Sequence, residues 1–207
     1  MANRNYRQKS RRRYKRKSHR FRNFIIFVLI AAIISGVIWF LSGNYKKAEH
    51  ALGKTIYPIK YSEYVDKASE DYNLDKALIY AVIRTESKFD PNCESNVGAV
   101  GLMQMMPESF RWVQKLRKTS LDEDELSAPS VNIDYGCYLL KYFLKHYKNE
   151  RCAIAAYNAG FVVTRWLKDS RYSSDGKTLK KIPYDETAKY VKRVEHAKNM
   201  YNKIYFT

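Results

Sequence analysis

The chain has 207 residues, 45% of them hydrophobic and 14% aromatic, with 38 Lys and Arg against 21 Asp and Glu for a formal charge of +17. That apolar content excludes wholesale disorder, and eight Gly with five Pro exclude a collagen-like or low-complexity chain. The length fits one domain with an appendage, and the charge invites a nucleic-acid reading until it is located.

Eleven Lys and Arg and no acid lie within residues 1–22, which leaves 27 basic against 21 acidic residues, a net +6, in the rest of the chain. Most of the basicity is therefore a tail. The segment 23–43 follows, and from Phe24 to Leu41 it runs eighteen residues without a charge, FIIFVLIAAIISGVIWFL. As a helix this stretch spans roughly 27 Å, close to the hydrocarbon thickness of a bilayer. A core helix so uniform needs protein on every side. A single such segment beside a polybasic run reads instead as a membrane span, with Trp39 as an interfacial anchor.

The flanks set the orientation. Eleven cations precede the span and only Lys46 and Lys47 closely follow it, so the positive-inside rule keeps residues 1–22 cytoplasmic and puts residues 44–207 outside. A cleaved signal peptide competes with this reading, but its apolar region is shorter and only Ser42-Gly43 offers a small-residue site after Leu41. We adopt the uncleaved signal anchor: a single-pass cell-membrane protein that meets the lipid bilayer through residues 23–43. Topology accounts for RRRYKRK without nucleic acid, and the same cations suit anionic lipid headgroups.

Residues 44–60 read as a linker punctuated by Gly53 and Pro58. Over residues 61–207 helical periodicity dominates. Asp75 caps a segment with Leu78, Ile79, Val82 and Ile83 on one face; Pro107 opens a helix to about Lys118. Val131–Tyr147 carries an apolar stripe of Ile133, Cys137, Leu140 and Leu144. A shorter helix runs to Tyr157 and stops at Gly160, another covers Phe161–Leu167, and a long one spans Asp185–Tyr205. No strand alternation of sheet length is present, so the domain reads as mainly α.

The cysteines, Cys93, Cys137 and Cys152, are odd in number and lack zinc-ligand spacing; Cys137 and Cys152 sit in apolar helical patterns as buried thiols, with one disulfide as the alternative in an oxidising exterior. The four His are scattered. No metal site is implied.

Glu86 falls three residues after Ile83 and four after Val82, on the apolar face of its helix. Burial there raises a carboxyl pKa towards the range of a general acid. On periodicity alone the alternative is equal: a helix-terminal Glu that reaches solvent or pairs with Arg84 or Lys88. Further on, Gly98 and Gly101 permit tight turns, and Gln104 offers a donor and an acceptor suited to sugar hydroxyl and acetamido groups.

Together these segments resemble the lytic transglycosylase family of peptidoglycan-cleaving enzymes. The resemblance is carried by Glu86-Ser87 in IRTESKFDP, by GAVGLMQMMP from Gly98 to Pro107, by Ala156-Tyr157-Asn158-Ala159-Gly160, and by IPYDET from Ile182 to Thr187 with Tyr190-Val191 after it. It covers about residues 62–205 and implies a lysozyme-like domain, preceded here by a single transmembrane helix, with a cleft for the alternating GlcNAc–MurNAc glycan strands of peptidoglycan. Glu86 takes the position of the family's single acid/base. Ser95 matches a serine near the acetamido group and the scissile linkage. Gln104 and Met106 match groove-lining positions, and Tyr157 a tyrosine opposite the catalytic glutamate. Asn158 lies in the same motif, where capping the turn before Gly160 is an equal reading. Glu186 matches an acidic groove position, with a helix N-terminal charge as its other reading, and Tyr190 shares its face one turn later. Asn96 departs from the family, which often has proline there.

Most glycosidases need two carboxylates. Asp90 and Glu94 are the nearest candidates, both in a polar loop, and Asp122-Glu123-Asp124-Glu125 reads as a solvated loop or helix start. The resemblance implies that one residue suffices, with Glu86 first acid and then base, the substrate's acetamido oxygen stabilising C1, and a 1,6-anhydroMurNAc product. No metal or organic cofactor is implied. A hydrolytic muramidase on the same fold is the nearest alternative. A non-catalytic glycan-binding envelope module would not need Glu86, and a nucleic-acid binder would need a basic cluster in the folded domain. Partners in an envelope complex are not specified by the sequence.

Overall fold

The computed structural model describes the backbone of residues 3–206 and the side chains of residues 21–206. The chain divides into two compact units, one ending at Leu52 and the other beginning at Gly53.

The first unit is a single helix, part of α1 (Asn3–Ile56). Its residues Phe21–Ile56 are long and apolar enough to cross a membrane. Every large apolar side chain between Phe24 and Leu41 is exposed, Trp39 at 79% and Phe24 at 63%. The polar side chains in and just beyond this stretch bond back to their own helix: the Ser35 hydroxyl donates to the Ala31 carbonyl at 2.8 Å and the Ser42 hydroxyl to the Trp39 carbonyl at 2.9 Å. A helix that satisfies its polar groups internally and turns apolar side chains outward on every face matches the demands of hydrocarbon. Residues 1–20 of the basic tail lie outside the residues whose side chains are described.

The second unit is built from helices joined by loops, with two isolated antiparallel bridges in the loop after α3, Glu94 to Val100 and Val100 to Met105. The segment 44–60, expected to be a linker, is helical through Ile56. From Gly53 onward it belongs to the folded unit, because Tyr57 is buried edge-to-face on Tyr201, with Arg84 over its ring at 4.2 Å. The Tyr201 hydroxyl donates to the Pro58 carbonyl at 3.1 Å, and the Tyr205 hydroxyl to the Tyr57 carbonyl at 2.8 Å.

Helix α2 (Ser62–Tyr72), which the sequence did not single out, buries only Val65 and Ala68, too sparse a stripe to read as a separate element. Helix α3 (Lys76–Glu86) starts where the Asp75 carboxylate accepts from the Ala77 amide at 2.9 Å, and it buries every side chain from Ala77 to Ile83. Each large aliphatic side chain there contributes about 1.5–3 kcal/mol of burial. Helix α4 (Pro107–Arg117) has Pro at its first turn, where the missing N–H is no loss. The acidic run Asp122–Glu125 forms a capping box at the start of a short 3-10 turn, Glu123–Ser127.

Helices α5 (Pro129–Tyr147), α6 (Glu150–Ala159), α7 (Val162–Leu167) and α8 (Asp185–Tyr201) complete the domain, and a π-type turn, Asn202–Phe206, closes what the periodicity reads as one helix to Tyr205. Helix α3 packs on α8, α5 on α2 and α6, and α6 on α8. Lys198 of α8 fastens this arrangement through Glu150 at 2.7 Å and Asp75 at 3.1 Å. The three cysteines are free thiols; burial pushes those of Cys137 and Cys152 up and keeps them inert.

Candidate active site

Because α3 packs on α8 and α6 packs on α8 in turn, the last residue of α3 comes close to Tyr190 of α8 and Tyr157 of α6. Glu86 is only partly exposed, and desolvation pushes its carboxyl up to about 7, against smaller opposing effects of the Tyr190 hydroxyl and the Arg193 guanidinium. Neither opposing group is an acid. Among the described residues no second carboxylate contributes to the shift.

The two tyrosines beside Glu86 have different duties. The Tyr157 hydroxyl donates to the Met103 carbonyl at 3.0 Å and feels the Glu86 charge. Its proton is therefore engaged, and what it offers the carboxyl is an oxygen lone pair. The Tyr190 hydroxyl is buried and has no hydrogen bond of standard geometry, yet it is near enough to Glu86 to favour the carboxylate. Burial and the neighbouring carboxylate hold both phenols well above their ordinary pKa, so both stay protonated.

The backbone after Glu86 turns sharply. Lys88 and Phe89 both have positive φ, 54° and 68°, a conformation that costs non-glycine residues about 1–2 kcal/mol each. The buried Ser87 hydroxyl stabilises the turn, accepting from the Phe89 amide at 3.1 Å and donating to the Leu102 carbonyl at 2.9 Å. This ties the end of α3 to the Gly98–Pro107 loop.

That loop is organised by Asn132, fully buried on α5. Its Oδ1 accepts from the Met103 amide at 2.7 Å and its Nδ2 donates to the Val100 and Leu126 carbonyls at 2.9 and 2.8 Å. Gly101, at φ 79°, is required here, since a Cβ would lie 2.4 Å from Asn132. Gln104, itself at φ 47°, commits its NH2 group to the Cys93 and Gly101 carbonyls at 2.8 and 3.0 Å. The amide NH2 thus shapes the loop. Ser95 Oγ accepts from the Ala99 amide at 2.9 Å, which leaves its own proton to donate. Met106 is half-buried at the N-cap of α4.

Asn158 does not cap the turn before Gly160. Its Oδ1 accepts from the buried Thr187 hydroxyl at 2.7 Å, joining the end of α6 to the start of α8. Gly160, at φ 71° and ψ −157°, ends α6 in a conformation reserved for glycine. Glu186 is exposed and lines an open groove of about 550 Å³ with Lys189, Lys192 and Arg193.

The structure therefore brings Glu86, Tyr157 and Tyr190 together, sets Ser95, Gln104 and Met106 in or beside one stapled loop, and keeps Asn158 and Glu186 at the α6–α8 edge. Two other cavities, about 660 and 510 Å³, lie on the α2–α4–α5 face and are lined by none of these residues. Asn132 and Arg193 escaped the sequence reading, and Ser87 was named there only as part of a motif, without a role. Asn132 and Gly136 occupy the apolar face of α5 one turn apart, and Arg193 follows Tyr190 by three, so helical spacing was the available signal.

Residues 63–180 match the family described as the transglycosylase SLT domain. The soluble lytic murein transglycosylase of Salmonella typhimurium is 33% identical over 143 residues, which cover 67% of this chain and 22% of that protein. Membrane-bound lytic murein transglycosylase C of Actinobacillus succinogenes is 33% identical over 112 residues, 49% of this chain and 31% of that protein. The crystal structure of the 70 kDa soluble lytic transglycosylase of Escherichia coli superposes with a TM-score of 0.65 at 28% identity, over 73% of this chain and 25% of that one. The chain thus spans less than a third of the length of these relatives. The helical, lysozyme-like fold that the sequence resemblance implies is the fold these neighbours share.

Proposed function

The chain belongs to the transglycosylase SLT domain family, and from that premise we propose that it is a membrane-anchored lytic transglycosylase of peptidoglycan. It cleaves the β-1,4 linkage between MurNAc and GlcNAc without water, and Glu86 is its single acid/base. The observation that carries the reading is a carboxyl poised at about 7 beside two neutral tyrosines, with no second carboxylate acting on it among the described residues.

A carboxyl at about 7 is substantially protonated near neutrality, as a general acid must be. Protonated Glu86 transfers its proton to the bridging oxygen as the bond from MurNAc C1 to that oxygen breaks. The acetamido oxygen of the same MurNAc bonds to C1 and carries the charge as an oxazolinium ion, which replaces the missing carboxylate nucleophile. The Glu86 carboxylate then accepts the proton of the C6 hydroxyl while O6 bonds to C1 and displaces the acetamido oxygen. The 1,6-anhydro ring closes, Glu86 is protonated again, and no water is consumed.

Tyr157 accepts from protonated Glu86 and orients it, while Tyr190 stabilises the carboxylate formed midway. Ser95 donates near the acetamido group. Gln104 Oε1, Met106 and Asn158 contact the glycan, and Glu186 does so from the groove beside α8. The apolar helix holds the protein in the bilayer through residues 23–43, with residues 1–22 in the cytoplasm and the catalytic domain outside.

The test is mass spectrometry of products released from peptidoglycan by the full chain. Fragments ending in 1,6-anhydroMurNAc support the lyase reading; ends heavier by one water point to a hydrolytic muramidase, and no fragments refute both. A reporter fused after Thr207 tests the topology, since activity in the cytoplasm would reverse it.

A further inference from the structure

The peptide unit that joins Leu102 to Met103 is gripped from both sides. Its carbonyl accepts from the Ser87 hydroxyl at 2.9 Å, and its amide donates to Asn132 Oδ1 at 2.7 Å. Ser87 directly follows Glu86, so this one peptide is tied to the end of α3 and to α5 at once. Asn132 also spends its Nδ2 protons, on the Val100 and Leu126 carbonyls, and Val100 in turn pairs with Met105 through two backbone bonds of 3.0 Å. One turn further along α5, Gly136 makes room for Met103: a Cβ there would lie 2.6 Å from Met103 Sδ and 2.9 Å from Met103 Cβ. A fully buried amide with its donors and its acceptor engaged, beside a glycine whose missing side chain is replaced by the same methionine, fixes the Met103 backbone in one place.

That place matters because the Met103 carbonyl receives the Tyr157 proton at 3.0 Å. A phenol has one proton to donate. Committed to Met103, it is withheld from Glu86; released, it would turn to the Glu86 carboxylate and stabilise it, as a hydrogen bond to a charged form does. The titratable groups acting on Glu86 are Tyr157 of α6 and Tyr190 and Arg193 of α8, while α2 and the loop after α3 contribute none among the described residues. Tyr190 and Arg193 already favour the carboxylate, so a second donating phenol would add to them. We propose that Asn132 is a positioning residue of the reaction: through Met103 it holds the Tyr157 proton away from Glu86, so that Glu86 meets the substrate as an acid. The clamp is independent of what the acid cleaves, and its use in catalysis rests on the functional reading above.

The test is the ionisation of Glu86 itself, followed by carboxyl-carbon nuclear magnetic resonance on the full-length chain in detergent, with Glu86→Gln to assign the signal. Asn132→Ala should lower the midpoint by about one pH unit. Gly136→Ala displaces the same backbone with Asn132 still in place and should move the midpoint in the same direction, so it carries the test alone where Asn132→Ala fails to fold. In a Tyr157→Phe background neither change should move the midpoint, because the proton they release is gone. A purely structural Asn132 would lower the thermal transition and leave the midpoint where it was, or move it equally in both backgrounds; either result overturns the clamp. Cleavage is scored separately. The alkaline limb of kcat should follow the midpoint down, with cleavage about tenfold slower at a pH above both midpoints and KM unchanged. A lowered midpoint in a chain that releases no fragments would leave the clamp standing and sink the functional reading; cleavage with an unmoved midpoint does the reverse.

Discussion

Helices α1 and α3 are built from the same kinds of residue and treat them in opposite ways. Between Phe24 and Leu41, α1 exposes its Ile, Val, Leu and Phe side chains all round, whereas α3 buries everything from Ala77 to Ile83 under α2 and α8. A helix apolar on every face requires an apolar surrounding, which α3 finds in protein and α1 would find in lipid. The burial of α3 has a chemical consequence that α1 lacks: it extends to the last residue of the helix, Glu86, and raises that carboxyl. The packing that stabilises the domain thus also tunes its acid.

The largest expected effect tests that link directly. Glu86→Gln should lower cleavage by at least about 10²–10⁴-fold while the thermal transition persists, assayed by release of soluble fragments from peptidoglycan. Retained activity would break the connection between the burial of α3 and chemistry. Next, Ile79→Ala should cost about 2–5 kcal/mol in denaturant unfolding, because it empties a fully buried site. The same change at Ile30, 50% exposed on α1, should leave that transition within about 0.5 kcal/mol. Similar losses at the two positions would erase the contrast. Ile30→Arg should instead cost about 2.5–3.5 kcal/mol of membrane insertion and move protein out of the membrane fraction, leaving the catalytic domain folded.

The pH dependence sharpens the comparison further. The folded pKa of Glu86, about 7, lies above the ordinary carboxyl value of about 4.5, so the folded state holds this proton more tightly. The resulting stability is complete below about pH 4.5 and is lost as the pH rises through about 7, a change of about 3 kcal/mol that Glu86→Gln should abolish. Cleavage should fall over the same alkaline limb, where the acid is deprotonated. A slope that persists in the Gln variant would assign it to another group. The smallest effect is expected at Tyr190→Phe. Loss of a hydroxyl that favours the carboxylate should move the alkaline limb of the rate profile upward by less than about one pH unit, and a downward move would reverse the role given to Tyr190.

Much of the fold was legible in the sequence because its signals are local. Asp75 as a cap, Pro107 at a first turn, Gly160 as a stop and the stripe of α5 each act within a few residues and were found where expected. Helix α2 was not separable because two buried side chains make no stripe, and the segment from Gly53 to Lys60 read as linker because its partners, Tyr201 and Tyr205, lie more than a hundred residues away. Shorter but still non-local separations, of about thirty residues, hid the duties of Asn158, which joins Thr187, and of Asn132, which staples an upstream loop.

By itself the sequence determined the apolar span and its basic flank, the helical class and the position of Glu86 on an apolar face, since charge, hydropathy and 3.6-residue spacing are written along the chain. It left open whether Glu86 was buried or paired with a neighbouring cation. The tertiary structure decided that, because desolvation depends on what α8 and α6 place near the end of α3: two protonated tyrosines, a guanidinium and, among the described residues, no second carboxylate.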